Sequence, residues 1–140
     1  MTFIAREDYD ASIHREVLDA LARGDDAVVM VCEERAIAEM RGYLSARYDA
    51  DAIFAARGAD RHPLVLMMAI DIAVYHLFCL HNPQKMSQLR RDRYERAVEW
   101  LRQVAAYKVS IDGAPLLPAD SQQRNNPIQI TSNPKRTQHL

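Results

Sequence analysis

The stretch from His62 to His81 constrains this chain more than any other. It reads His-Pro-Leu-Val-Leu-Met-Met-Ala-Ile-Asp-Ile-Ala-Val-Tyr-His-Leu-Phe-Cys-Leu-His. Pro63 suits the first turn of a helix, where its missing N–H has no intrahelical acceptor in any case. Leu64, Met67, Met68, Val74, Tyr75 and Phe78 then place apolar groups over most of the helix surface. A helix that is apolar nearly all round must be enclosed by other elements. The segment is therefore expected to be the central helix of a small bundle. Its most apolar part, Leu64 to Leu80, is interrupted by Asp71 and His76, and on length and polarity it is not expected to span a membrane.

The rest of the chain supplies partners for such a helix. With 140 residues, 49% of them hydrophobic, one domain with a real core is expected. Residues 6–22 form a first helical region, broken near Asp10 to Ser12, in which Ile13, Val17, Leu18 and Leu21 recur at helical spacing. Gly24 ends it, and Asp25 and Asp26 sit where the start of the next helix favours acid. That second helix runs to about Tyr48 on a stripe of Val29, Cys32, Ala36, Met40, Tyr43 and Leu44. Glu33, Glu34, Glu39 and Arg41 are expected mostly to face outward. A loop from Asp49 to Arg61 follows, folded back through Ile53 and Phe54.

Beyond the central helix, Asn82-Pro83 begins the next element, and a fourth helix from Pro83 or Ser87 reaches Ala106. Its inner face is Tyr94, Ala97, Val98, Leu101, Val104 and Ala105. Arg91–Glu95 and Asp92–Arg96 are spaced for weak ion pairs on its outer face. Lys108 to Ile111 alternates polar and apolar residues, as a short strand does.

The composition changes near residue 112. Four of the six prolines, Pro115, Pro118, Pro127 and Pro134, lie beyond it, among many Asn, Gln and Ser. The expected fold is mainly all-α: a compact four- to five-helix bundle over residues 1–111, with a short strand near 108–111 and an extended polar C-terminal arm over 112–140. The arm cannot build a core. It contains Pro127-Ile128-Gln129-Ile130-Thr131, whose alternating Ile128 and Ile130 suit addition as a strand to a partner or a neighbouring subunit.

Little in the chain points to chemistry. A net charge of −1 gives no general attraction for nucleic acid or anionic membranes. Residues 1–8 lack a basic stretch followed by an apolar run, so no secretory leader is expected. The glycines are scattered, so there is no phosphate-binding loop, and there is no nucleophile elbow. Cys32 and Cys79 both fall in apolar helical patterns and are expected to be buried thiols in a reducing compartment.

His76, Cys79 and His81 are of metal-binding types, but structural zinc sites show paired short spacings that are missing here. They define the alternative reading, a soluble helical regulator or small metal-binding protein. Asp71, a carboxylate in the most apolar helix, requires a donor such as an arginine or tyrosine from another helix. A general acid or base there would need a nucleophile or partner acid that the sequence does not supply. Arg90, Arg91, Arg93 and Arg96 alternate with Asp92, Glu95 and Glu99, as on a charge-balanced solvated or intersubunit face. The dozen residues between the second and third helices are too many for a helix-turn-helix.

Three runs in order carry a resemblance. Ile37 to Tyr48, with Tyr43-Leu44 and Arg47-Tyr48, is the first. His62 to Leu77, with Pro63-Leu64 and Asp71-Ile72-Ala73-x-Tyr75-x-Leu77, is the second. Arg93-Tyr94-Glu95-x-Ala97-x-x-Trp100-Leu101, followed by Lys108-Val109-Ser110-Ile111, is the third. Together they resemble a Mu-like phage family of head–tail connector (head-completion, adaptor) proteins, over residues 5–118. Tyr107 stands where that family often has Gly, so a tight turn does not carry over at that position.

The resemblance implies a compact helical bundle with extended arms and no enzymatic activity or cofactor. It implies a virion component of the head–tail neck, assembled in the host cytoplasm. Such proteins form a ring, commonly dodecameric, between the portal protein and the tail or stopper proteins. DNA is passing cargo in the ring's lumen, and no membrane is involved. The resemblance also makes Asp71, Tyr75 and Arg47 members of an internal polar network. The arm becomes a docking element for the portal or a neighbouring subunit.

Overall fold

The computed structural model describes residues 2–118. Five α-helices follow one another: α1 Arg15–Ala22, α2 Asp26–Leu44, α3 Ala50–Ala55, α4 Pro63–His81 and α5 Gln88–Ala105. Short 3-10 turns occupy Arg6–Ala11, Gly58–Asp60 and Pro83–Lys85. The all-α expectation holds. The residues called for partner binding in the arm, Pro127 to Thr131, lie outside the described residues.

Helix α4 is the centre, as its sequence requires. Val65, Ala69, Ile72 and Val74 are fully enclosed by the surrounding helices. Its closest neighbours are α2 and α5, with α1 also packed against it. His62 fixes its start: Nδ1 accepts from the Leu64 N–H, and Nε2 donates to the Asp112 carbonyl at 2.7 Å. One imidazole thereby caps α4 and ties down the chain that leaves α5. The length-and-polarity ground for expecting no membrane span does not stand. At 19 residues and a mean hydropathy of 2.0 it is long and apolar enough to cross a membrane by length and composition alone. Its enclosure in the bundle marks it as a core helix here: 56% of that stretch is buried.

The other helices begin and end as their local chemistry dictates. Asp25 caps α2 through the Ala27 N–H, Asp49 caps α3 through Ala52, and Ser87 caps α5 through Arg90. Gly24 takes a positive φ of 73° after Arg23, which is itself left-handed at 54°, and together they turn the chain from α1 into α2. The fourth predicted helix thus begins just after its cap Ser87, with Asn82-Pro83 heading a separate 3-10 turn.

Three details differ from expectation. Helix α2 stops at Leu44, and the chain turns so that Tyr48 is buried at 2% exposure. The expected loop contains α3, whose Ile53 and Phe54 close the core, with Phe54 edge-on to Phe3 at 5.1 Å. Finally, residues 108–111 form no strand.

The reason is the end of α5. Lys108 and Val109 both donate to the Gln103 carbonyl, which spends their N–H groups on closing the helix. Tyr107 occupies the left-handed position of this closure at φ 64°. The tight turn is therefore made, with Tyr in a place that glycine fills most cheaply. Its ring lies 4.5 Å from the Arg47 guanidinium carbon. The only extended pairing among the described residues is one antiparallel bridge, Tyr48 to Leu116. Asp49 N–H donates to Pro115 and Leu117 N–H to Arg47, so residues 112–118 remain packed on the body past the compositional break.

Candidate functional site

The family-type motifs converge on three polar centres. The first is Asp71. Its side chain is 4% exposed, and Arg96 of α5 donates to Oδ2 at 2.7 Å. The required arginine from another helix is present. Burial pushes the Asp71 pKa up, and Arg96, with Arg93 and Arg90 further off, pulls against that rise. Arg96 was expected to pair with Asp92 on the outer face. It turns inward instead, because a buried carboxylate without a donor is far costlier than a lost surface pair. Asp92 accepts from Gln88.

The second centre joins three helices. Glu39 of α2 accepts from the Tyr94 hydroxyl of α5 at 2.8 Å, and its other oxygen meets His76 Nε2 of α4 at 3.1 Å. Tyr75 stacks on Tyr94 with centroids 3.8 Å apart and planes 11° from parallel. Burial and the Glu39 carboxylate raise the Tyr94 pKa, so its hydroxyl stays a donor. A hydrogen bond with Cys79 is the largest influence raising that of Tyr75. Glu39 was expected to face outward, yet it is half-buried and is the hub of this clamp.

The third centre is the close of α5. Arg47 donates from one nitrogen to the carbonyls of Val104 and Val109, at 3.0 and 2.9 Å. Tyr48 Oη accepts from the Ile111 N–H at 2.8 Å. Asp71, Tyr75 and Arg47 thus each have partners of their own. Among the described residues they hold three helix junctions.

The sequence reading missed a further pair. Glu33 is 5% exposed, and the Tyr9 hydroxyl donates to it at 2.7 Å. Burial raises the Glu33 pKa, with Tyr9 opposing the rise. Only the period of α2 could have revealed this, since Glu33 follows the core residue Cys32 and sits one turn from Ala36. The same N-terminal segment is anchored by Arg61 to Asp8 and to the Phe3 carbonyl, and by Arg90 to Ser12. Burial alone would raise the Asp8 pKa, but the Arg61 and Ala5 hydrogen bonds more than offset it and hold the carboxyl low.

His76, Cys79 and His81 are not brought together. No group of three or more metal-ligating side chains is assembled among the described residues. His76 is on Glu39, and Cys79 is exposed rather than buried, while Cys32 is buried as expected.

A groove of about 540 Å³ opens on the face of α4 that carries Pro63, Leu66, Met67 and Ile70. The 3-10 segment with Glu7 and Asp8 walls one side, and Arg93 and Arg96 wall the other. Asp71 stands in its floor, held by Arg96, and Glu7, Asp8 and Ser12 also line the groove. Its open shape and the apolar Leu66, Met67 and Ile70 give the groove the makings of a contact surface.

No curated protein and no solved structure matches the chain. A family model described as Bacteriophage Mu, Gp36 matches residues 3–129, which covers all five helices and continues past Pro118. With its signature residues placed at the helix junctions of one bundle, the chain belongs to this Mu-like bacteriophage protein family.

Proposed function

We propose that this bacteriophage protein is a non-enzymatic structural subunit of the head–tail neck, a connector that forms a ring between the portal protein and the tail or stopper proteins. One observation carries the reading. The residues of the three family motifs are spent on holding the bundle: Arg47 and Tyr48 on the end of α5, Asp71 on Arg96, Tyr75 on Tyr94. Motif residues committed to packing and hydrogen bonding inside the bundle leave the surfaces to do the work. On this reading the work is done by surfaces. The arm, through Pro127-Ile128-Gln129-Ile130-Thr131, docks on the portal or a neighbouring subunit by strand addition. DNA passes through the lumen without specific contact, and the location is the virion neck, reached from the host cytoplasm without a membrane step.

The test is a phage in which this gene alone is removed. Electron micrographs of the lysate should show DNA-filled heads and separate tails, with infectivity restored by supplying the protein in trans. Particles of normal form and yield would contradict the reading, as would an arrest before DNA is packaged.

A further inference from the structure

The groove over α4 has a mainly apolar floor that the described residues leave open. Met67 is 43% exposed there, beside half-buried Leu66. On the wall above them Arg93 makes no ion pair or hydrogen bond among the described residues, while its neighbours Arg90 and Arg96 are engaged with Ser12 and Asp71. A second surface has the opposite character. Along the outside of α2, Ala27, Met30, Val31, Glu34 and Ala38 lie on one exposed face. Met30 is 46% and Val31 41% exposed, with the small side chains of Ala27 and Ala38 at either end of the face. Glu34 has no cation partner among the described residues, whereas Arg41, further along, is held by Asp51.

These two surfaces are complementary. Two apolar side chains on a narrow ridge match a groove with an apolar floor, and an unpaired carboxylate matches an unpaired guanidinium. A second pair of opposite charges is available at the edges, because Glu7 stands on the far wall of the groove and Arg35 borders the ridge. We propose that the groove receives the α2 ridge of a second copy of this chain, with Met30 and Val31 over Leu66 and Met67, and Glu34 against Arg93. Ridge and groove are different patches, so the contact is head-to-tail. That is the arrangement that generates a closed ring rather than a two-fold dimer. The proposal rests on the neck reading above and specifies the face by which neighbouring subunits meet.

Sedimentation velocity of the purified full chain over a concentration series tests it. The wild type should associate as concentration rises. Glu34→Arg and Arg93→Glu should each weaken association by about tenfold or more, because either change sets like charges against each other. The double variant should recover association close to the wild type. Neither side chain makes an ion pair or hydrogen bond among the described residues, so the helical circular dichroism of both variants should match the wild type. Met67→Asp, in the groove floor, should also prevent association. A wild type that stays monomeric, single reversals without effect, or a double variant no better than the singles would each overturn the contact. None of these would touch the particle phenotype that decides the neck reading.

Discussion

Replacing Tyr9 with Phe should destabilise the chain by about 1–3 kcal/mol at neutral pH, and by much less as the pH falls toward the ordinary carboxylate range. The Tyr9 hydroxyl is the group that donates to Glu33, a carboxylate 5% exposed in the interior. Without it, the charged form of Glu33 stays buried with no hydrogen-bond donor. The sign of the pH dependence follows from the direction of the shift. Burial raises the Glu33 pKa above its ordinary value. A raised carboxyl pKa means that the folded state holds its proton more tightly than the unfolded chain does. The stability this contributes is present at low pH and is lost as pH rises through the folded value. Losing the Tyr9 donor raises the folded value further, so the gap between variant and wild type opens with rising pH and closes in acid. Urea melts of the two proteins from neutral pH down to about pH 4 measure this. Adding Glu33→Gln to the Tyr9 variant should flatten the difference. A gap that is the same at every pH would show that Glu33 is not the group responsible.

Deletion of residues 119–140 should separate folding from assembly. The buried core among the described residues is drawn from Phe3 to Ile111, and Tyr48, Asp49 and Arg47 hold the chain through Leu117. The truncated body should therefore keep its helical spectrum and unfold cooperatively, within a few degrees of the full chain. The same deletion removes Ile128 and Ile130, so incorporation into particles and the yield of infectious phage should fall to near background. Normal particles from the truncated protein would remove the arm from the account.

The sequence made the bundle legible because its strongest signals are local. Pro63, Gly24, Asp25 and Ser87 mark helix ends by their own stereochemistry, and the apolar surface of α4 can be satisfied only at the centre. What could not be read was which polar side chain turns inward. Glu33 and Glu39 occur in a run of charges on α2 and look like solvated residues until Tyr9, Tyr94 and His76 are seen to face them. Arg96 has a local partner at the right spacing in Asp92, and the buried Asp71 outcompetes it from another helix. The alternation at Lys108 to Ile111 imitated a strand. The closing of α5 claimed those N–H groups first, with Arg47 and Tyr48 arriving from a distant turn to complete it. In each case the deciding partner is remote in sequence. The groove escaped notice for the same reason, since its floor and two walls come from three separate segments.

The most direct measurement of the central claim is a symmetry-resolved reconstruction of the neck in purified particles. The account predicts a ring of this chain directly below the portal. Its helical bodies should touch head-to-tail, and residues 119–140 should reach the portal or the adjoining subunit. Particles whose neck contains no copy of the chain, or copies placed elsewhere in the virion, would contradict it.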